Sequence, residues 1–269
     1  IHKCMRAARD EFGARGLHLY PLFFWDWPVS PDATEPRLKQ WDRDWNWFEA
    51  WSRYAWTIDR DETEERAFWI DQYQQRFGTN AGEGVLDALN DIGECAPRLL
   101  RRFGITEGNR QTLSLGMPLD ALVNPGRYKP FPELWESQSP PGERLEEYVE
   151  LEVNGLPHDG ETPPQICDEV LAFSASAIDR IEQASRHVTV NRAEFDRIRN
   201  DIHCIAEMSR SYVAKVRAAM SVLHHRLAGE TSELDEAVKQ LPGPPISTPP
   251  RCRPPNAAPH SSAGSTETP

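Results

Sequence analysis

From residue 195 to residue 223, apolar or small side chains recur at 195, 198, 202, 205, 209, 212, 216, 219 and 223, alternating steps of three and four over four heptads. This spacing keeps returning to one side of an α-helix and cannot be fitted to the two-residue period of a strand. A seam of that length has to be covered by another helix, so 192–227 commits the chain to an antiparallel helical pair or bundle. The facing stripe is supplied by 165–187, through Ile166, Val170, Phe173, Ala177 and Ile181. Just ahead of it, Thr162 suits an N-cap and Pro163 the first helical position, where a missing N–H costs nothing.

Shorter helices surround this pair. Residues 1–12 read as a helix with Met5 and Ala8 inward and Gly13 as its stop. Residues 37–55 read as one aromatic helix, and Asp59-Arg60-Asp61 ends it and caps the next. That next helix, 62–77, should bury Ala67, Ile70, Tyr73 and Phe77 and stop at Gly78. A further one, 81–103, buries Val85, Leu89, Ile92, Leu99 and Phe103, with Pro97 kinking or dividing it. Residues 143–154 and 230–241 complete the set, the former closed by Gly155. Between 104 and 141 the periodicity fades, and Pro118, Pro125, Pro130 and Pro132 indicate an ordered loop with short turns. After Pro242 the chain is Pro, Ser, Thr and Ala with almost no large apolar residue, the composition of a disordered tail.

The N-terminal part speaks differently. A turn at 14–16 is followed by the apolar run 17–24, which looks like a buried strand, and then by a loop rich in rings. Helix, glycine turn, strand and loop form one unit of a β/α barrel, whose active sites lie just past the strand ends. A lone unit cannot close a barrel. The expected fold class is therefore mainly α: a helical bundle domain preceded by one βα remnant of a truncated β/α barrel, with a disordered C-terminal tail. The expected domains are 1–36 for the remnant, 37–241 for the helical domain (37–141 aromatic-rich, 142–241 the long bundle) and 242–269 for the tail.

Seven of the nine tryptophans fall between residues 20 and 56, at 25, 27, 41, 45, 47, 51 and 56. On the 37–55 helix, Trp41, Trp45 and Phe48 share one face and Trp47, Trp51 and Tyr54 another. Two aromatic faces predict burial between two layers, with the interspersed charges paired or facing a cleft. Flat rings beside carboxylates and guanidinium groups also suit a sugar: the rings stack on pyranose faces and the charges take the hydroxyls. Tyr20, Trp25, Asp26, Trp27 and Arg37 are the candidate substrate-binding residues.

With 269 residues and a net charge of -12, the chain can bury a sizeable core and does not suit nucleic acid or an anionic membrane as a general partner. No apolar run reaches the roughly 18 residues of a spanning helix. The five cysteines, at 4, 95, 167, 204 and 252, show no CxxC pair, so free thiols are expected rather than a zinc pattern or a disulfide framework. His158, Asp159 and Glu161 lie close in sequence but lack a fourth ligand, and His187, His203, His224 and His225 read as surface or satisfied histidines; no metal and no cofactor is expected. No phosphate loop, GxGxxG, HExxH or GxSxG motif is present. The first residue is Ile1, entered in mid-element, which suggests further sequence upstream; the compartment is not legible.

The run Leu17-His18-Leu19-Tyr20-Pro21, then Trp25-Asp26-Trp27-Pro28, then the segment from Trp45 through Arg53-Tyr54-Ala55-Trp56-Thr57-Ile58-Asp59-Arg60-Asp61, resembles part of large bacterial glycoside hydrolases. It is similar to the α-glucuronidase-like enzymes of families 67 and 115, where a barrel passes into a helical domain through a "W…RYxWNPDRD" segment; here Thr57-Ile58 replaces Asn-Pro. The resemblance covers roughly residues 14–120. It implies a helical accessory domain that edges the substrate cleft of a carbohydrate-active hydrolase, with the catalytic carboxylates on barrel strands outside this chain and carbohydrate bound through that missing barrel. A helical interaction or scaffold module without catalysis is the alternative, marked by an apolar stripe left exposed on 192–227 and leaving self-association through the bundle open. A complete small enzyme working through His18 and Asp26 is a third.

Overall fold

The computed structural model describes residues 1–18, 28–30, 32, 34–103, 118–124 and 140–241. Among these residues the regular structure is helical and no strand occurs; the β pairings are isolated bridges joining Val29 to Lys39 and Gly142 to Glu161. The mainly helical class is as the periodicity requires. Leu17 and His18, the start of the expected strand, have no regular structure, and the remainder of that strand, like the tail 242–269, lies outside the described residues. No helix among them is long and apolar enough to cross a membrane. The chain gathers into two compact units, divided between Trp69 and Ile70.

The first unit contains α1 (His2–Asp10), α2 (Gln40–Arg43), α3 (Trp45–Trp56) and the start of α4 (Glu62–Phe77). The single helix expected over 37–55 is broken at Asp44, whose φ of -111° and ψ of 35° leave the helical region. Its carboxylate takes the Arg43 guanidinium at 2.8 Å and the Gln40 side-chain amide, tying it to the side chains of α2. Nor is α3 buried between two layers. Ala50 and Tyr54 are enclosed, whereas Trp47 and Trp56 remain 41% and 89% exposed, and Trp41 of α2 is 40% exposed. The two aromatic stripes wrap more of the helix than α1, α2 and the start of α4, its neighbours in the unit, cover. Asp61 does cap α4 as expected, its Oδ1 accepting the N–H groups of Thr63 and Glu64 at 2.9 and 3.0 Å.

In the second unit α5 (Gly82–Gly93) and α6 (Cys95–Phe103) pack on α9 (Pro163–Ser185). That helix in turn lies along α10 (Arg192–Ala228), which also carries α7 (Leu119–Leu122), α8 (Leu145–Asn154) and α11 (Ser232–Gln240). Phe77, Leu99, Phe103, Ile166, Ile181, Phe195, Ile202 and Tyr212 fill the core. The stretch 81–103 divides at Glu94, just ahead of Pro97, which then sits in the first turn of α6 where its ring is tolerated. On α4 the inward positions are Glu65, Trp69, Tyr73 and Phe77, a run of four-residue steps, and Ala67 faces out.

Candidate functional site

Of the candidate substrate-binding residues, Tyr20, Trp25, Asp26 and Trp27 lie outside the described residues. Arg37 is exposed, and its Nη2 donates to the Ser30 carbonyl at 3.1 Å. It stands where the chain closes on itself: Ser30 N–H donates to Leu38 O at 2.7 Å and Gln40 N–H to Pro28 O at 2.8 Å. This clasp fixes both ends of the segment from Asp32 to Leu38, and Arg43 draws Asp32 in at 2.8 Å. Lys39 lies over the Trp41 ring, 5.1 Å from its centroid. Arg37, Lys39 and the half-exposed Trp41 thus bring positive charge and a ring to one short reach of chain.

The charged residues that follow Trp45 have structural duties. Arg53 grips the buried Glu65 with two hydrogen bonds of 2.8 and 2.7 Å, and Arg60 approaches the same carboxylate at 3.3 Å. Hydrogen bonding from Arg53, against the opposing effect of burial, holds Glu65 below the usual carboxylate range. The Arg53 guanidinium also covers the Phe68 ring at 3.6 Å, and Trp69 Nε1 donates to the Tyr54 hydroxyl at 2.8 Å. Asp59 takes Arg9 of α1 in a two-pronged bond of 2.7 and 2.8 Å, and His2 stacks on Tyr54 while meeting the Ile58 carbonyl at 2.7 Å. The RY…DRD segment is therefore the fastening of α1, α3 and α4, and its charges are not offered to a ligand.

Sequence reasoning missed a second polar cluster, around the loop before α9. His158 lies between two carboxylates, its Nδ1 2.8 Å from Glu143 and its Nε2 2.8 Å from Glu152, with its ring stacked on Tyr148 at 4.6 Å. Hydrogen bonds to Glu143 and then Glu152 raise its pKa, so the imidazolium with both N–H groups donating is favoured. Beside it, the fully buried Arg102 reaches Glu161 at 2.6 Å and the Pro140 carbonyl at 3.1 Å, and Arg101 takes the other Glu161 oxygen. Gly142 is needed here, because a Cβ would stand 2.4 Å from the Glu161 carbonyl. His158 and Glu161 thus turn to different partners, and Asp159 contributes its N–H to Glu143 at 2.8 Å; these three do not converge on an ion. The signal for Arg102 was absent from the sequence: it follows Arg101 in a helix end that reads as solvent-facing.

Cys4 is an exposed free thiol and Cys95 and Cys167 are buried ones, whereas Cys204 is disulfide-bonded, which corrects the expectation of free thiols throughout. Burial pushes the Cys167 thiol up to about 12, so it is inert near neutral pH.

No protein-family model matches the chain, and no curated protein matches it. Among solved structures it is similar to a GH138 enzyme targeting pectin rhamnogalacturonan II, with 40% sequence identity and a TM-score of 0.82. The match covers 89% of this chain and 35% of that one, so the chain spans about a third of the length of that enzyme. The likeness to a glycoside hydrolase expected from the aromatic segment is found, but the neighbour is of family 138 and not of families 67 or 115.

Proposed function

We propose that this chain is the helical part of a carbohydrate-active glycoside hydrolase, supporting and edging a substrate cleft rather than cutting the glycan itself. The observation that carries this is the 40% identity maintained over 89% of the chain to an enzyme targeting a pectic glycan. The substrate class is an acidic, uronate-bearing polysaccharide. Tyr20, Trp25 and Trp27 offer stacking faces, Asp26 takes hydroxyls, and Arg37, beside Lys39 and Trp41, pairs with a sugar carboxylate as guanidinium groups do. Domain limits at 36 and 241 belong to this reading: residues 1–36 bring the loop to the cleft and 37–241 hold it. Cleavage requires two carboxylates flanking the scissile bond, and none is assigned within this chain.

The scaffold alternative lacks the feature that would favour it. Seven of the nine α10 seam positions between Phe195 and Leu223 are buried, Ile198 and Ile205 are half-buried, and the large exposed apolar residues of that helix, Met208 and Leu227, stand apart. The test is kinetic, in a hydrolase that contains this chain. Asp26→Ala should lower kcat/KM on rhamnogalacturonan II oligosaccharides about 10- to 100-fold, the loss of one charged hydrogen bond. Unchanged KM and kcat would remove Asp26 from the cleft and with it the edging role.

A further inference from the structure

Where α10 turns into α11, three side chains converge that nothing above employs. Ligand atoms of His224, Glu230 and Glu233 all lie within 4.8 Å of one another. The Nδ1 atom of His224 is buried and has no hydrogen-bond partner, although Glu233 Oε1 stands 3.7 Å away. That separation is too long for a hydrogen bond. It is close to the spacing of two ligands on one tetrahedral ion, about 3.3 Å when each bond is about 2.0–2.1 Å.

The turn is built to hold this arrangement. Gly229 adopts a left-handed φ of 78°, its N–H donating to the His225 carbonyl at 2.8 Å, so the chain reverses directly after α10. His225 Nδ1 then meets the Glu230 carbonyl at 2.9 Å and fixes the backbone that carries Glu230. Glu233 enters the first turn of α11. The adjoining arginine, Arg226, is directed to the Val123 carbonyl at 2.7 Å. Among the described residues neither Glu230 nor Glu233 is paired with an arginine or lysine.

We propose that His224, Glu230 and Glu233 form a binding site for a divalent ion of the zinc class, which pins α11 against the end of α10. A neutral imidazole and two carboxylates carry charge equal and opposite to such an ion, and mixed nitrogen and oxygen ligands suit zinc better than magnesium or calcium, which prefer oxygen alone. Three protein ligands leave one position for water. The site stands apart from the glycan reading and does not depend on it.

The test is calorimetric titration of zinc chloride into the metal-stripped full chain near pH 7.5, in a Cys4→Ser background that removes the exposed thiol, with thermal unfolding followed in parallel. One zinc per chain should bind, and Tm should rise with zinc concentration, because an ion held by the folded state alone stabilises it by mass action. His224→Gln and, on an exposed position, Glu230→Gln should each weaken binding at least tenfold while leaving the metal-free Tm within a few degrees. Absence of a zinc-dependent Tm shift in the parent, or parental affinity retained in a variant with parental metal-free Tm, overturns the site. If His224→Gln fails to fold, Glu230→Gln decides alone.

Discussion

His158 shows what a single residue adds here. Its ring is committed on both nitrogens to carboxylates, Glu143 and Glu152, and Tyr148 covers one face. Both nitrogens can donate only when the ring is protonated, which is why its pKa is raised. A group whose folded pKa lies above its unfolded value stabilises fully below the unfolded value, about 6.5, and that contribution disappears as pH rises through the folded one. The chain is thus expected to lose Tm as pH climbs from 6 towards 8, and His158→Gln to flatten that slope while matching the parent at the alkaline end. Thermal unfolding across that range is the measurement; an unchanged slope in the variant would mean another group titrates there. None of this was readable from His158-Asp159-Gly160-Glu161, since Glu143 and Glu152 are brought to the ring by the Gly142 bridge and by the face of α8. Glu65 teaches a related lesson: an acid on the inward side of α4 is unexpected until Arg53 of the preceding helix and Arg60 of the intervening turn fold back to neutralise it.

At the scale of elements, the long helices were legible because burial and period agree. Each of Phe195, Ile202, Ser209, Tyr212, Val216, Ala219 and Leu223 is enclosed in α10, as the seam requires, and α9 buries Ile166, Val170, Ala177 and Ile181 against it. The same held for α8, where Gly155 takes the left-handed conformation at φ 62° that ends the helix. Where local chemistry competes with period, the reading failed. The aromatic helix breaks at Asp44, whose backbone leaves the helical region, and Glu94 interrupts before Pro97 instead of at it. The loop before α9 was the least legible, because Glu161 there is held by Arg101 and Arg102 from the end of α6, some 60 residues earlier. A seam that truly carries the second unit should answer strongly to truncation. Ile202→Ala is expected to cost about 2–5 kcal/mol, the transfer loss plus an unfilled cavity, against less than about 0.5 kcal/mol for Met208→Ala on the exposed side of the same helix. Urea unfolding of both variants makes the comparison, and equal small losses would show that α10 is not packed as described.

For the molecule as a whole, the fastening of its helices and the needs of glycosidic cleavage point the same way. Hydrolysis of a glycoside requires one carboxyl group to protonate the leaving oxygen and a second to act as nucleophile or base, the pair held roughly 5–9 Å apart across an open site. Among the described residues, several acids held against neighbouring helices or loops are engaged: Glu65 with Arg53, Glu161 with Arg101 and Arg102, Glu143 and Glu152 with His158, Asp59 with Arg9. A carboxylate held by a guanidinium is kept ionised, which unfits it as the acid, and withdrawing it for chemistry would break the helix contact it maintains. The chain of residues 1–269 on its own is accordingly expected to fold with a cooperative transition and to release no reducing sugar from rhamnogalacturonan II oligosaccharides or aryl uronides above the uncatalysed level. An assay of reducing ends on purified protein decides it. Turnover that survives rigorous purification and falls with Asp26→Ala or His18→Ala would replace the accessory role with that of a complete small enzyme. Silence of the isolated chain, joined to loss of kcat/KM by Asp26→Ala in a longer hydrolase, is the combination that the helical support of a separate catalytic centre requires.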